Sequence, residues 1–474
     1  GAFVKGSVHY EVRGESALLS IDNPPVNPLS SGVRQGLFDG MTRALADDQI
    51  KTVVVTGLNR AFIAGADISE FGAAASQGAG LNEVLALMEG SDKPVIAAIN
   101  GTAFGGGLEV ALCCDYRVAL ATAPLGLPEV KLGLLPGAGG TQRLPRLIGA
   151  EAAIPLIISG NPVPAPAALK LGIVDQVVDE NVVEAALSFA ADLKGRGSPT
   201  RKIRDLSDKV LADRNQPDLF TKAAANLDKT HRGQFAPAQI LKCIEAAVTL
   251  DDFDAGMAVE RTCFAACLGD PQREALIHIF FAERAANKIP GLSKDMPLID
   301  VQKAAVIGAG TMGGGIAMCF ANAGISVQLH DNDPEGLKRG LKVIEGNYAR
   351  TVAKGRLTQA AMDQRMALIQ PADRLEDFGQ ADVVVEAVYE NLDLKKEIFA
   401  KLDGIMKPGA LLASNTSGLD IDAIAASTNR PEFVCGMHFF SPANVMRLLE
   451  VVRGAKSSPE ALGTAMALGK RLGK

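Results

Sequence analysis

The sequence predicts an α/β chain made of two strand–turn–helix regions with a helical stretch between them. Three observations carry this. Short apolar runs such as Val53-Val54-Val55-Thr56-Gly57 and Val95-Ile96-Ala97-Ala98-Ile99 each lead into a glycine-rich turn and a helical pattern, which is the rhythm of βαβ units. Residues 200–300 keep helical spacing but lose the strand signal. At Val301 the order of strand, glycine turn and helix returns.

With 474 residues, 47% of them hydrophobic, the chain has room for about three domains with real cores. The spacing predicts domains over 1–195 and 301–474 joined by a helical connector over 196–300 that completes the fold of the first domain. Gly195-Arg196-Gly197-Ser198-Pro199 marks the first boundary and Lys288-Ile289-Pro290-Gly291 closes the connector. Leu276, Phe280 and Phe281 stand at helical spacing, which predicts a packed core face for the connector.

Composition removes several function classes. The 48 basic residues against 54 acidic ones leave a net charge of −6, so no nucleic-acid or anionic-membrane surface is expected. Arg201-Lys202-Ile203-Arg204 reads as a solvated face. The seven cysteines (113, 114, 243, 263, 267, 319 and 435) form no Cys-x-x-Cys pair, which predicts reduced intracellular thiols and no metal site. No apolar run reaches the roughly 18 residues of a membrane span, so no membrane insertion is expected. No signal peptide opens the chain, and Gly1-Ala2-Phe3 lacks an initiator Met, as a processed end would.

The first candidate site begins at Asn100-Gly101-Thr102-Ala103-Phe104-Gly105-Gly106-Gly107-Leu108-Glu109, after a buried strand and at the start of a helix. Three glycines let backbone approach a ligand, and a helix N-terminus directs free N–H groups outward. Such groups suit the enolate oxygen that develops on a thioester carbonyl. A second donor is offered by Ala64-Gly65-Ala66-Asp67-Ile68, where Asp67 and Glu70 have the spacing of a capping box for the next helix. Leu127-Pro128-Glu129 supplies another carboxylate.

These stretches, together with Pro136-Gly137-Ala138-Gly139-Gly140-Thr141-Gln142-Arg143-Leu144-Pro145-Arg146, resemble the crotonase (enoyl-CoA hydratase/isomerase) superfamily. The resemblance implies a spiral β/α domain like that of ClpP and an acyl-CoA thioester substrate. It implies that the Ala66 and Gly106 amides form an oxyanion hole, and that Glu109 and Glu129 hold a water and shuttle its proton. Two carboxylates favour hydration, because like charges in one pocket push their pKa values apart and provide both acid and base. Isomerisation of a double bond is a second output of the same pocket.

In the second region Gly308-Ala309-Gly310-Thr311-Met312-Gly313 follows the strand Ala304-Ala305-Val306-Ile307 and opens a helix near Met312. A second strand, Ile325 to Leu329, ends at His330-Asp331. This is the context of a Rossmann dinucleotide site, with Gly308, Gly310, Met312 and Gly313 at the pyrophosphate and Asp331 at the ribose. An acid there repels a 2′-phosphate, so NAD is the expected cofactor.

Ser414-Asn415-Thr416-Ser417, His438-Phe439-Phe440-Ser441-Pro442 and Leu448-Leu449-Glu450-Val451-Val452 resemble the L-3-hydroxyacyl-CoA dehydrogenase family. By that resemblance His438 removes the hydroxyl proton, Glu450 orients and charges the imidazole, and Ser417 contacts substrate and cofactor. Glu390, Lys395 and Ser441 carry over as further NAD contacts. The chemistry agrees, since a carboxylate partner brings a histidine base into range for alcohol oxidation.

The two likenesses in this order, with Phe280-Phe281-Ala282-Glu283 between them, resemble the type 1 multifunctional enzymes of fatty-acid β-oxidation and their bacterial relatives. That implies hydration of trans-2-enoyl-CoA to the L-3-hydroxyacyl thioester and its NAD-dependent oxidation to the 3-ketoacyl thioester. It further implies a monomer that admits a thiolase partner, in the bacterial cytosol or alternatively the peroxisome. The competing readings are a hydratase/isomerase alone and a non-catalytic acyl-CoA- or RNA-binding protein of the crotonase fold. Intact Glu109, Glu129, His438 and Glu450 oppose a dead site.

Members of that family continue into helical dehydrogenase domains, and by this comparison the chain reads as truncated before them at Lys474. A cleft lacking one wall leaves His438 and Glu450 to water, which undoes the positioning that catalysis needs. The expected outcome is hydration of crotonyl-CoA without NAD-linked oxidation of 3-hydroxybutyryl-CoA. Robust NADH formation by the purified chain would overturn this expectation.

Overall fold

The computed structural model describes residues 5–67, 70 and 78–474. Gly1-Ala2-Phe3, the proposed processed end, and Ile68 of the Ala64–Ile68 motif lie outside the described residues, as does the helix that Asp67 and Glu70 were expected to cap. The chain divides into two units, Gly1–Ala282 and Glu283–Lys474. No helix of the described residues is long and apolar enough to cross a membrane.

In the first unit one sheet runs, in spatial order, through Ser7–Arg13, Ser16–Asp22, Thr52–Gly57, Val95–Ile99, Tyr116–Leu120 and Gln176–Val178. Its first pair is antiparallel and the rest are parallel. The two apolar runs that announced strands are its central members, and every residue of both is buried. Their side chains alternate between two cores: Val95, Ala97 and Ile99 enter one, Ile96 and Ala98 the other. A strand covered on both faces needs no polar alternation, which explains the continuous apolar runs.

A second, smaller sheet holds Ala61–Ile63, Thr102–Phe104, Pro124–Gly126 and Val163–Pro164. The chain passes from Val95–Ile99 through Thr102–Phe104 into the helix Gly106–Leu112. That passage sets Gly106 at a helix start and Glu109 in its first turn.

Much of the helical stretch packs into the first unit. Helices Ala236–Thr249 and Phe253–Gly269 contribute Ile240, Ile244, Val248 and Cys263 to the core of the first unit. Residues on either side of 195/196 belong to the same unit. Buried Asp115 accepts from the Arg201 N–H at 2.7 Å, and Tyr116 Oη donates to Pro199 O at 3.0 Å. Arg201 also pairs with Asp175, so Arg201-Lys202 is held against this network rather than lying free in solvent.

The actual division falls at 282/283. Beyond it Ile299 donates its N–H to Thr464 Oγ at 3.0 Å, and Leu292 and Leu298 pack on Gly463, where a Cβ would come within 3.0 Å or less of both. The core face predicted for the connector is also corrected. Helix Pro271–Ala286 buries none of its residues within its unit, and Leu276 and Phe281 are 37% and 46% exposed. Leu276 reaches Gly133, and Phe280 packs edge-on against Phe281.

The second unit has a seven-stranded sheet in the order Ile369–Pro371, Ser326–His330, Lys303–Ile307, Val383–Glu386, Leu411–Ser414, Val434–Phe439 and Leu449–Val452. Numbered within this unit the order is 3-2-1-4-5-6-7, parallel except for the last pair. That is the doubly wound Rossmann arrangement, in which ligands bind where the strand order reverses. Here the reversal lies between Lys303–Ile307 and Val383–Glu386.

One buried ion pair ties the first unit's site to its core. Arg143 Nε and Nη2 both donate to Glu89 at 2.8 Å, and each side chain is 6% exposed. Arg143 Nη1 also donates to Ala138 O at 3.1 Å. Removing one partner strands a buried charge, so Glu89→Ala should lower stability by about 3–5 kcal/mol. Urea denaturation followed by circular dichroism checks this, and an unchanged midpoint would mean the pair is not holding the segment.

Candidate active sites

Glu109 is 3% exposed. Its Oε2 accepts from the Ala138 N–H at 2.7 Å and the Gly140 N–H at 2.8 Å. Burial pushes its carboxyl above the ordinary range, while these two N–H groups and the Arg143 charge oppose the rise. The glycines are sterically required. A Cβ on Gly140 would meet Pro136 at 2.7 Å and Glu109 Oε2 at 3.2 Å, and one on Gly107 would meet Ile63 O at 2.2 Å.

Glu129 sits in the short 3-10 helix Pro128–Leu132. Its Oε2 is enclosed and receives no hydrogen bond among the described residues. Burial first, and then the charge of Glu109, hold its carboxyl well above the ordinary value. The other oxygen lies over Gly105, whose φ is 57° and whose Cβ would be 3.1 Å from Glu129 Oε1. Two carboxyls therefore share one pocket in unlike surroundings.

Among the described residues neither the Ala66 nor the Gly106 N–H meets an acceptor within the chain. Leu29 runs beside Ala66, donating its N–H to Gly65 O at 2.9 Å, and its side chain lies where a Cβ on Gly106 would be, 2.8 Å away. Leu29 thus lies next to both Ala66 and Gly106. The Glu70 carboxylate reaches the N-terminus of helix Ser31–Ala46, accepting from the Ser31 N–H at 2.9 Å and pairing with Arg34 at 3.3 Å.

A third carboxylate escaped the sequence reading. Glu260, in helix Phe253–Gly269 and 0% exposed, accepts from the Gly139 N–H at 2.9 Å and from Thr141 Oγ at 2.6 Å. Burial and the nearby Glu109 push its carboxyl up to about 8. Nothing local in Ala258-Val259-Glu260-Arg261 signals this position.

In the second unit the glycine turn fits a dinucleotide on three counts. Gly308 has φ 100° and a Cβ there would meet Ala387 O at 2.5 Å. A Cβ on Gly313 would strike Gly308 O, while Gly310 faces open space with no atom within 4 Å. Strand and helix are thereby brought close while the middle of the turn stays clear for a phosphate. Met312 is half-buried against the core beneath. Asp331 follows the strand Ser326–His330 and accepts from the Ala309 N–H at 2.9 Å, which fixes its carboxylate beside the turn.

Glu390 Oε1 accepts from Thr416 Oγ at 2.7 Å, and Oε2 from both the N–H and Oγ of exposed Ser417 at 3.1 Å. Burial would raise its carboxyl, but these donors and Lys395 hold it below the ordinary value. Lys395 itself is 2% exposed, with its Nζ 2.5 Å from Glu386 Oε2 and 3.7 Å from Glu390 Oε1. It lies under the crevice, holding the two glutamates, rather than on its surface. Glu386, which also accepts from Ser414 Oγ at 2.6 Å, was not singled out from sequence.

His438 and Glu450 face each other across the antiparallel pair Val434–Phe439 and Leu449–Val452, directly in register. His438 Nδ1 is 3.2 Å from Glu450 Oε2, which leaves Nε2 for a substrate hydroxyl. The Phe440 ring packs on the imidazole with centroids 4.6 Å apart, and Ser441 beyond it is exposed.

A family model for enoyl-CoA hydratase/isomerase matches residues 13–238, and one for the NAD binding domain of 3-hydroxyacyl-CoA dehydrogenase matches residues 303–474. A peroxisomal bifunctional enzyme of Danio rerio is 44% identical over 98% of this chain and 64% of its own length. The peroxisomal bifunctional enzyme of Homo sapiens is 41% identical over 97% of this chain and 63% of its own. A glyoxysomal fatty acid beta-oxidation multifunctional protein of Cucumis sativus is 34% identical over 100% of this chain and 67% of its own. The chain thus spans somewhat under two thirds of the first two relatives.

Asp331 generates a test of the nucleotide site. Removing a charge that would face a 2′-phosphate at close range relieves about 1–4 kcal/mol of repulsion, so Asp331→Ala should tighten NADP binding about tenfold or more. Fluorescence titration of both dinucleotides into both proteins checks it. Equal affinity of the wild-type chain for NAD and NADP would separate Asp331 from the ribose.

Proposed function

We propose, for a chain that belongs to the multifunctional proteins of fatty-acid β-oxidation and carries an enoyl-CoA hydratase/isomerase domain and a 3-hydroxyacyl-CoA dehydrogenase NAD-binding domain, that its first unit adds water to trans-2-enoyl-CoA thioesters. The observation that carries this is the inequality of Glu109 and Glu129. Glu109 Oε2 receives two backbone N–H groups and Glu129 Oε2 receives none. Donors stabilise the anion and their absence keeps the proton, so Glu109 is the base and Glu129 the acid at neutral pH.

The reaction follows from that division. The Ala66 and Gly106 N–H groups take the thioester oxygen and stabilise the enolate that forms there. Glu109 removes a proton from water as its oxygen bonds to C3. Glu129 delivers its proton to C2, and the proton on Glu109 then returns to Glu129 for the next cycle. Protonation and deprotonation of the same enolate at different carbons would move a double bond, which is the isomerase reading of this pocket.

The second unit is proposed to supply the NAD site and the proton-accepting pair with which the multifunctional protein oxidises the resulting 3-hydroxyacyl thioester. NAD, when bound, supplies the hydride acceptor, with Gly308, Gly310, Met312, Gly313 and Asp331 to hold it and Glu390, Ser417 and Ser441 along the same crevice. His438 accepts the hydroxyl proton at Nε2, and Glu450 holds Nδ1 and balances the imidazolium charge. The 3-ketoacyl product is the substrate class of a thiolase, the proposed partner. Coverage of residues Gly140–Ile148 by helices of the same chain supports a monomer. The peroxisomal and glyoxysomal names of the relatives support the peroxisome as the compartment rather than the bacterial cytosol.

Loss of the enoyl-thioester ultraviolet absorbance measures the first activity. Glu109→Gln and Glu129→Gln should each lower turnover by about 10²–10⁴ with little change in substrate affinity. Near-normal hydration by either variant removes that residue from the mechanism. The pH profile of kcat/KM should also be bell-shaped. Activity falls in acid as Glu109 takes up a proton, and in alkali as Glu129 loses the one that burial retains. Because both carboxyls are raised, both limbs should lie above the ordinary carboxylate range; an acid limb at the ordinary value would contradict the burial of Glu109.

A further inference from the structure

Helix Phe253–Gly269 meets the segment Gly137–Gln142 through three residues on one stripe, Gly256, Glu260 and Phe264. A Cβ on Gly256 would lie 2.2 Å from Gln142 Oε1, and one on Gly137 would lie 2.7 Å from the Phe264 ring. Between these close approaches, Glu260 takes the Gly139 N–H at 2.9 Å, the Thr141 N–H at 3.3 Å and Thr141 Oγ at 2.6 Å. The alternate N–H groups, those of Ala138 and Gly140, go to Glu109 Oε2. Four successive amides are thus shared between two carboxylates, odd-numbered to one and even-numbered to the other.

We infer that Glu260 is a positioning residue for the hydration proposed above: by fixing the Gly139 and Thr141 amides it turns the Ala138 and Gly140 amides onto Glu109. The segment is glycine-rich and has few other means of choosing its peptide orientations. With Glu260 removed, the amides at 139 and 141 lose their acceptor and the segment is free to rotate toward other partners. Glu109 then loses donors that favour its charged form.

Burial of a second carboxylate beside the first also argues against a plain anchor. A neutral acceptor would hold one of these amides without repelling Glu109, yet a carboxylate with two accepting oxygens is present. The charge of Glu109 raises the proton affinity of Glu260, while the amides that Glu260 holds in place favour the ionised form of Glu109, as a general base near neutrality needs. Arg143, the cation nearby, is already bound by Glu89, and burial pushes the Cys243 thiol on the packed helix well up, so that it stays neutral.

The test rests on the hydratase reading, so wild-type hydration is measured first. An inert wild-type chain sinks that reading and this inference with it. In an active chain, Glu260→Ala should lower kcat by about 10–100-fold with KM within about twofold, as displaced catalytic geometry does. Glu260→Gln, which keeps one acceptor, should recover part of the loss. In a Glu109→Gln background the Glu260→Ala change should cost nothing further, because a residue that acts through Glu109 has no effect once Glu109 is disabled. Losses that multiply in the double variant, or an unaltered kcat in Glu260→Ala, overturn the inference alone. If circular dichroism shows Glu260→Ala unfolded, Glu260→Gln carries the same two readouts, and wild-type turnover in it is equally decisive against the proposal.

Discussion

A carboxylate taken out of water loses several kcal/mol of hydration and keeps its charge only where donors or cations replace it. Glu109, Glu129 and Glu260 impose that constraint on one pocket of the first unit. The nearby cation is Arg143, already matched by Glu89, so compensation falls to backbone N–H groups. Those come from the segment Gly137–Thr141, which can approach closely because a Cβ on Gly137, Gly139 or Gly140 would collide with Phe264, Arg143 or Pro136. Three carboxyls with too few donors cannot all be ionised at neutral pH. The one left without a donor on an enclosed oxygen is Glu129. That inequality is what the proposed division into base and acid rests on.

The second unit resolves the same problem in the opposite sense. Glu390, in a loop, lies beside a proposed ligand site, as Glu129 does in its 3-10 helix. It receives Thr416 and Ser417 as donors and Lys395 as counter-ion, and is held below the ordinary carboxylate value rather than above it. Donor supply, not residue type, separates the two. His438 depends on register instead. Its partner stands directly opposite on an antiparallel strand, and a slip of one residue would send Glu450 to the other face of the sheet. A pair set this way can remain partly hydrated, as a base that must gain and lose charge during turnover requires.

Whatever is encoded within one turn or one strand was legible from sequence. Val95–Ile99 and Lys303–Ile307 announced themselves as unbroken apolar runs, and Gly308, Gly310 and Gly313 each meet the steric need that their spacing suggested. Glu109 and Glu129 were found because glycines and a proline mark their positions. Glu260 was not, because 121 residues separate it from Gly139 and a lone glutamate in a helix usually faces water. Glu386 and Lys395 are a similar case: the lysine carried over as a cofactor contact lies buried beneath two glutamates. Leu276, Phe280 and Phe281 misled in the other direction, since helical spacing of apolar residues reports a face that can be buried but not what covers it.

Residues 196–300 read as one connector because their pattern is helical, whereas the two units, divided at 282/283, are set by which polar and apolar groups need one another. Arg201 and Lys202 are required by Asp115, which is fully buried and would otherwise lack a counter-charge. Glu260 is required by two amides of the Gly137–Thr141 segment, and Gln142 by the carbonyl of Cys243. Each of these contacts ties a segment of the connector to a buried polar group of the first unit, and leaving such a group unmatched costs about 1–3 kcal/mol. From Glu283 onward the demands come from the other unit, through Thr464 and Gly463. Helix Phe253–Gly269 is thus part of the first active site's structure, and a division of this chain that cut between 195 and 253 would leave Glu109 with its amides but without the group that orients them.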